Sequence, residues 1–293
     1  MGSPDQRAGR LPDFICIGAQ KSGTTWLHHN LKQHPEIWLP PVKELHWFDE
    51  THPRPNISKV FSADRQGYRA RKELPRLWHS RHDSKLFRWH LRFLLRPRNH
   101  SWYASLFEPA KDQICGEIGA DYAALDEATI TAMNRLMPDL KLIYLLRNPV
   151  ERLWSALAMH AEKQGWGPLE NVPAEQLMSY LQWDLPLRHS DYLANLQRWE
   201  GTFGPERVKV IFFDALASRP TETYQEVCRY LGVDDSPSLV PEGIAEKKYA
   251  RDYPPPNRKI AAWLHNALRP QVHALHDRFG NEATAAWLAG MDQ

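Results

Sequence analysis

Residues 18–25, Gly-Ala-Gln-Lys-Ser-Gly-Thr-Thr, combine two glycines, a lysine and three hydroxyl side chains directly after an apolar run. A strand that ends in such a loop and leads at once into a helix presents backbone N–H groups to a phosphate. Lys21 can place its ammonium against a terminal phosphate or a bridging oxygen, and Ser22, Thr24 and Thr25 add hydroxyl donors. The segment therefore predicts a phosphate-binding loop, called the phosphate loop below.

The glycine spacing of this loop matches that of nucleotide triphosphatases, but its other residues do not. Gly23 is followed by Thr24 and Thr25, where such an enzyme has Lys-Ser/Thr. The sequence also lacks a clear acid after a second strand that would hold magnesium. The pattern predicts an anion that is bound without a divalent cation. A P-loop kinase or another nucleotide-dependent phosphotransferase is the alternative.

The elements around the loop alternate between strands and helices. Four continuously apolar runs are typical of parallel strands covered on both faces: Phe14–Gly18, Gln113–Ile118, Lys141–Leu146 and Val208–Phe213. A helical pattern with Asn148 as its cap and Pro149 in its first turn follows the third run, and a second helical pattern covers Thr221–Gly232. The alternation predicts one α/β domain over residues 1–293, with a P-loop-type three-layer fold whose central parallel sheet is flanked by helices.

Two regions interrupt this alternation. A basic helical insertion is predicted at about 51–100, where Arg65–Arg98 holds eleven Lys/Arg against two acids. Its apolar residues at near-helical spacing predict a buried face: Phe87, Trp89, Leu91, Leu94 and Leu95. Cations on another face, Arg88 and Arg92 among them, form either a solvated surface or the border of an acceptor channel. A C-terminal helical segment is predicted at about 257–293, with a helix from about Ile260 to Leu268.

Composition narrows the class of protein. A hydrophobic fraction of 42% and a charged fraction of 25% are those of an ordinary globular protein, and a net charge of +2 argues against a dedicated nucleic-acid binder. The three cysteines are widely spaced, so neither a disulfide framework nor a Cys-x-x-Cys metal site is indicated. Without a signal peptide or a run of membrane-spanning length, we expect a cytoplasmic protein.

Four segments carry a resemblance to a known family. In order and spacing, "GAQKSGTTWLHHNLKQHPEI", "KELHWFDE", "GEIGADY" and "LKLIYLLRNPVERLWSA" resemble the sulfotransferases that use 3′-phosphoadenosine 5′-phosphosulfate (PAPS) and release 3′,5′-adenosine bisphosphate (PAP). The heparan-sulfate-type enzymes and their bacterial relatives are the most similar. The resemblance runs from about Asp13 to Leu231 and leaves the insertion unmatched.

The resemblance implies which residues hold the donor. Its phosphate-loop positions, with the tryptophan that follows them, are implied to bind the 5′-phosphosulfate end of the cofactor: Lys21, Ser22, Gly23, Thr24, Thr25 and Trp26. Arg147 and Ser155 are implied to hold the 3′-phosphate, and a strand-end arginine with a hydroxyl eight residues later suits one phosphate. The family's cofactor-covering stretch is replaced here by "EKKYARDYPPP", in which Lys248, Tyr249 and Arg251 are the candidates.

The resemblance also implies the catalytic residues. Glu44 falls on the family's catalytic glutamate through the pattern Glu, any residue, His, aromatic, Phe, Asp. An acceptor hydroxyl needs a base to take its proton, and His46 is the rival base. Lys21 would neutralise charge on the leaving phosphate. Glu117 and Tyr122 match family positions near the acceptor, but Ile118 stands where the family has a lysine, which puts a polyanionic glycan acceptor in doubt. No metal is implied.

The acceptor itself is left open by the sequence. Twelve tryptophans and ten tyrosines suit stacking on a sugar, a phenol or a polyketide equally well. We therefore expect a hydroxyl of a small-molecule, lipid or glycan acceptor, either free or bound to a carrier protein, with no nucleic acid as a partner and the oligomeric state unassigned. A non-catalytic adaptor that binds anions through the insertion is a third hypothesis, from another class.

Overall fold

The computed structural model describes residues 9–49, 61–62, 65–246 and 253–291, with the backbone alone over 65–70. The strands are β1 Phe14–Gly18, β2 Ile37–Trp38, β3 Ile114–Ile118, β4 Lys141–Leu146 and β5 Val208–Phe212. The helices are α1 Thr24–Leu31, α2 Arg65–His79, α3 Ser84–Leu95, α4 His100–Ser105, α5 Glu127–Leu136, α6 Pro149–Gln164, α7 Ala174–Leu181, α8 Asp184–Arg188, α9 Tyr192–Phe203, α10 Phe213–Ser218, α11 Pro220–Leu231, α12 Arg258–Phe279 and α13 Glu282–Ala289.

The five strands form one parallel sheet in the order β2-β3-β1-β4-β5. The central strand β1 is buried throughout, as its unbroken apolar sequence predicts. The predicted strands are confirmed to within one residue at their ends. Strand β2 was not predicted, because two residues are too few to establish a period.

Helices cover both faces of the sheet. Alternate β1 residues point to opposite sides: Ile15 and Ile17 pack with α5, α9 and α12, whereas Phe14 and Cys16 pack with α1 and α11. The predicted three-layer α/β fold is confirmed. Because all five strands are parallel, the loops that follow β1, β3 and β4 meet at one edge of the sheet.

Helix α6 begins as its sequence predicts. The Asn148 side chain accepts the Val150 N–H, and Pro149 occupies the first turn, where its missing N–H costs nothing. The buried guanidinium of Arg152 donates to Ser190 Oγ at 2.9 Å and to Pro186 O at 2.7 Å, which fixes α6 against α8 and the residues that follow it. The start of α6 is therefore rigidly placed at the loop edge of the sheet.

The insertion is helical where the structure describes it, although its buried face differs from the predicted one. Helices α2 to α4 pack through four residues of α3, namely Trp89, His90, Phe93 and Leu94. Leu95 was predicted to be buried, but 56% of its surface is exposed. Trp89 and Leu94 are buried as predicted, and Leu95 differs because it is the last residue of α3, next to an exposed segment that begins at Arg96.

The C-terminal segment is also helical. Helix α12 extends eleven residues beyond the predicted end at Leu268 and contains Pro270. A proline inside a helix normally costs about 3 kcal/mol, and the sequence favoured a helix end there. Val272 and Leu275, both fully buried against the sheet, offset that cost. The predicted bounds of a single domain over 1–293 stay a prediction.

Candidate active site

The phosphate loop joins the end of β1 to the start of α1. Gly23 adopts a left-handed conformation, with φ 95°, and a Cβ there would lie 2.8 Å from Leu216 Cδ1. Only glycine meets both conditions without strain. Among the described residues, no side chain caps the start of α1, and its first turn holds no acid. The free N–H groups and the positive end of the helix dipole therefore suit an anion.

Lys21 lies at the top of this loop in a left-handed conformation, with φ 70°. Its Nζ is 5.8 Å from the centre of the Tyr253 ring. Its carbonyl oxygen accepts a hydrogen bond from Arg147 Nη1 at 3.3 Å. A left-handed non-glycine residue costs about 1–3 kcal/mol and is typical of functional sites.

The other phosphate-loop residues have different environments. Ser22 is fully buried, and Thr24 is 4% exposed, whereas Thr25 is open to solvent. The indole N–H of Trp26 donates to Ile244 O at 2.9 Å, which ties α1 to the segment that precedes residues 247–252. The hydroxyls and the tryptophan thus surround the start of α1, as a phosphate-binding loop requires.

Arg147 follows β4 and reaches the phosphate loop. Its guanidinium lies 4.8 Å from the centre of the Phe213 ring and pairs with Glu151 at 2.9 Å. Its backbone oxygen accepts the Tyr192 hydroxyl at 2.9 Å. Ser155 is 6% exposed on the same helix as Glu151. A planar cation is therefore held at the loop edge, where a phosphate could compete for it with a half-exposed carboxylate.

The segment after β2 forms a second loop, residues 43–49, which we call the glutamate loop. Glu44 and His46 both adopt left-handed conformations, with φ 62° and 53°. Together with Lys21 they make up three of the four non-glycine residues with positive φ within the described part of the chain; Lys111 is the fourth. Strained backbone is thus concentrated at the residues that the sequence assigns to chemistry.

The side chain of His46 is held on both sides. Its Nδ1 lies 2.5 Å from Asp49 Oδ2, and its Nε2 lies 3.8 Å from Glu44 Oε2. The Glu44 side chain is 31% exposed, compared with 9% for His46. Glu44 is therefore the more accessible base, with an imidazole behind it that a carboxylate orients.

Lys43 joins the two loops. Its Nζ lies 3.0 Å from Glu44 Oε1 and donates to Thr24 Oγ1 and Thr25 Oγ1, both at 3.2 Å. One ammonium therefore contacts both the predicted base and the hydroxyls of the predicted phosphate site. Lys43 is the first residue of the segment "KELHWFDE", which contains Glu44, so its position next to the predicted base was the available sequence signal.

A group of acids and amides lies next to His46. Gln20 Nε2 donates to Asp121 Oδ1 at 3.0 Å, and ligand atoms of His46, Asp49 and Asp121 lie within 4.8 Å of one another. Two atoms that share a small divalent cation at right angles are about 3 Å apart. The 2.5 Å contact between His46 and Asp49 is shorter and is a hydrogen bond, so we assign no metal to this group.

Glu117 and Tyr122 lie below the glutamate loop rather than on its surface. They are 1% and 0% exposed, and the Tyr122 hydroxyl donates to Glu117 Oε1 at 2.7 Å. Burial raises the pKa of Glu117, while hydrogen bonds from Tyr103 and Tyr122 oppose that rise. The acceptor contact that the resemblance implies for Glu117 and Tyr122 does not fit their complete burial. Lys248, Tyr249 and Arg251 lie outside the described residues.

Comparison with known proteins gives one family. The Sulfotransferase family profile matches residues 12–237. The chain is 23% identical over 240 residues to the bifunctional heparan sulfate N-deacetylase/N-sulfotransferase 2 of Homo sapiens, covering 79% of this chain and 23% of that protein. It is 30% identical over 165 residues to carbohydrate sulfotransferase 15 of Mus musculus, covering 50% of this chain and 26% of that protein. The chain thus spans about a quarter of the length of these curated relatives.

A solved structure shows the same fold. The sulfotransferase from Alicyclobacillus acidocaldarius superposes with a TM-score of 0.59 at 24% identity, covering 94% of this chain and 98% of that one. Within the part of this chain that the structure describes, none of the helices has the length and apolar character needed to cross a membrane.

Proposed function

The chain belongs to the sulfotransferase family, and from that premise we propose that it transfers the sulfuryl group of PAPS to a hydroxyl group of an acceptor. PAPS supplies the sulfuryl group and leaves as PAP. The alternative, a P-loop kinase, has no support in the comparisons, and Thr24 stands where its lysine would be.

The phosphate loop would hold the 5′-phosphosulfate. The uncapped start of α1 offers backbone N–H groups, Lys21 offers a cation, and Ser22, Thr24 and Thr25 line the same turn. Trp26 would border the nucleotide. Lys248, Tyr249 and Arg251 stay candidates on the resemblance alone.

Arg147 and Ser155 would hold the 3′-phosphate. In the structure the Arg147 fork is paired with Glu151, whose side chain is 57% exposed. A phosphate offers the same fork two oxygens and more charge, so it can displace this exposed carboxylate at little cost.

Glu44 would act as the base. It takes the acceptor's hydroxyl proton as the acceptor oxygen bonds to sulfur and the bond from sulfur to the phosphate oxygen breaks. Lys21 and Lys43 neutralise charge on the leaving phosphate, which makes a divalent cation unnecessary for this step. The Asp49 carboxylate keeps His46 oriented behind Glu44, with the imidazole Nε2 3.8 Å from the Glu44 carboxylate.

The observation that carries this proposal is the Lys43 bridge between Glu44 and the hydroxyls of Thr24 and Thr25. This contact supports a general base at Glu44 beside an anion site at the phosphate loop, with one cation serving both. The acceptor would be a hydroxyl on a small molecule, a lipid or a glycan, free or carried by a protein.

Calorimetry tests the proposal without knowledge of the acceptor. We expect PAP to bind in the absence of any metal, with adenosine 5′-phosphosulfate weaker because it lacks the 3′-phosphate. ATP with magnesium should bind no better than ATP alone. Magnesium-dependent ATP binding and turnover, with no PAP binding, would replace the sulfotransferase by a phosphotransferase. Failure of all three nucleotides to bind would favour a non-catalytic adaptor.

A further inference from the structure

The backbone of the glutamate loop is held by hydrogen bonds to residues distant in sequence. The Glu44 N–H donates to Ile118 O at 3.1 Å, and the Leu45 N–H donates to Glu117 Oε1 at 3.1 Å. The Trp47 N–H donates to the Tyr122 hydroxyl at 2.9 Å. Three of the four N–H groups from Glu44 to Trp47 therefore have acceptors in one neighbouring segment, residues 117–122.

The buried polar pair below the loop is fully satisfied by these contacts. Glu117 accepts from Leu45 and Tyr122 through one carboxylate oxygen, and from the Tyr103 hydroxyl at 2.7 Å through the other. The Tyr122 hydroxyl both donates to Glu117 and accepts from Trp47. Burial raises the pKa of both tyrosines well above its usual range, so both stay hydrogen-bond donors at any working pH.

The same loop is held on its carbonyl side by the insertion. Arg98 Nη2 donates to Leu45 O at 3.3 Å and also to His46 O. The guanidinium lies 4.8 Å from the Trp102 ring centre and 5.6 Å from that of Trp47. The Trp47 ring in turn stacks on Tyr103 at 5.5 Å. Both the N–H groups and the carbonyl groups of the glutamate loop therefore have hydrogen-bond partners outside the loop.

This arrangement has a clear energetic use. Left-handed backbone at Glu44 and His46 costs about 1–3 kcal/mol per residue and persists only where surrounding contacts enforce it. A buried N–H or C=O without a partner costs about as much again. The hydrogen bonds from Arg98, Glu117 and Tyr122 are available only when the loop keeps this shape, so they offset its strain.

We propose that Arg98, Glu117 and Tyr122 form a clamp of positioning residues that holds the glutamate loop in its strained shape, so that they set the rate of sulfuryl transfer without touching either substrate. The inference rests on the proposed function, since it takes Glu44 as the base. It gives Glu117 and Tyr122 a role that fits their burial, and it gives the insertion a link to the active site through Arg98.

A matched pair of tyrosine variants isolates the clamp. Tyr122→Phe and Tyr103→Phe each remove one hydroxyl that donates to Glu117, so both should lower stability. Only Tyr122→Phe also leaves the Trp47 N–H without its acceptor. We expect the hydrogen-exchange rate of the Trp47 backbone N–H, measured by NMR, to rise about 10-fold or more in Tyr122→Phe and to stay near the wild-type rate in Tyr103→Phe.

Turnover should likewise fall in Tyr122→Phe and stay near wild type in Tyr103→Phe. With PAPS as donor and water as acceptor, we expect PAP release to fall about 10-fold or more in Tyr122→Phe, through kcat with KM for PAPS retained, because a base displaced by 1 Å can lose a factor of about 100. Glu117→Gln keeps an acceptor oxygen for Leu45 and Tyr122, so it should retain most of the turnover that Glu117→Leu loses.

The outcomes separate this inference from the proposed function. If PAP binds the wild type but Trp47 exchanges equally slowly in both tyrosine variants, the clamp is wrong and the sulfotransferase stands. If Glu117→Gln loses as much turnover as Glu117→Leu, then Glu117 acts through its charge and is not a positioning residue. If PAP does not bind the wild type, the function fails, while the exchange experiment still decides what holds the loop.

Discussion

The phosphate loop and the glutamate loop lie side by side and both contain left-handed residues, yet they keep their shapes by different means. The phosphate loop is shaped mainly by local features, a glycine at Gly23 and backbone hydrogen bonds such as Ser22 N–H to Ala19 O at 3.2 Å, and Arg147 adds one distant side-chain hydrogen bond, to Lys21 O. The glutamate loop is held by side chains 52 to 75 residues away in sequence. The first is thus encoded mainly in one short segment, and the second depends on distant parts of the fold.

The two loops also present different functional groups. The phosphate loop presents N–H groups, hydroxyls and an ammonium, which bind charge and do not accept protons. The glutamate loop presents a carboxylate and an imidazole, which do, and its Lys43 ammonium links it to the phosphate-loop hydroxyls. We therefore expect variants of Glu44 and His46 to act on turnover alone, and variants of the phosphate loop to lower donor affinity as well as turnover.

The largest expected effect is that of Glu44→Gln. The amide keeps the shape and reach of the side chain but cannot accept the acceptor proton, so kcat should fall by about 10²–10⁴. PAP affinity, measured by calorimetry, should stay near wild type because the phosphate loop is unchanged.

His46→Ala is the companion variant. It removes the imidazole 3.8 Å from Glu44 and leaves the carboxylate in place, so its effect on kcat should be smaller. Abolished transfer in His46→Ala with a mild effect in Glu44→Gln would assign the base to the histidine.

Lys21→Ala should give the next largest effect, and it should lower PAP affinity as well as turnover, because Lys21 would contact the leaving phosphate. It removes the ammonium from the phosphate loop, and a charge-assisted contact contributes about 1.5–3 kcal/mol, so PAP affinity should fall about 10- to 150-fold. Lys32→Ala, at the other end of α1, is the control and should bind PAP as the wild type does. If Lys21→Ala loses turnover but no affinity for PAP or PAPS, the division of labour between the two loops is wrong.

Features of the site that depend on nearby residues could be predicted from the sequence, whereas features that depend on distant residues could not. Lys21, the Gly23 turn and the Asn148 cap of α6 depend on neighbours within a few residues, so residue type and spacing suffice to predict them. The clamp could not be predicted, because Arg98 lies in an insertion without a recognisable motif. Glu117 and Tyr122 matched family positions near the acceptor, but only the packed structure shows that both are buried.

Arg147→Lys sharpens the assignment of the 3′-phosphate. Lysine retains the charge but loses the planar fork, so one of two hydrogen bonds to a phosphate should be lost, and PAP affinity should fall about 10-fold. Binding of adenosine 5′-phosphosulfate should change little because it lacks the 3′-phosphate. Equal weakening of both ligands would mean that Arg147 acts through its hydrogen bond to the Lys21 carbonyl instead.

The smallest expected effects belong to the basic face of α3, which contrasts with both loops. Arg92 pairs with Glu108 at 2.6 Å and donates to Ser105 O, whereas Arg88 is exposed and forms no ion pair with an acid among the described residues. The Arg92 and Glu108 side chains are 29% and 48% exposed, so solvent screens their attraction, and such pairs contribute about 0.2–1 kcal/mol. In thermal unfolding, Arg92→Ala should therefore lower Tm by about 1–3 °C and Arg88→Ala should not change it. PAP release should be the same in both variants, because neither guanidinium contacts the glutamate loop.

The acceptor channel is the other place that this basic face could border. In that case Arg88→Ala should raise KM for an identified acceptor, and the rise should be largest at low salt. Salt at physiological concentration screens such attraction beyond about 8 Å, so the effect should shrink as salt increases.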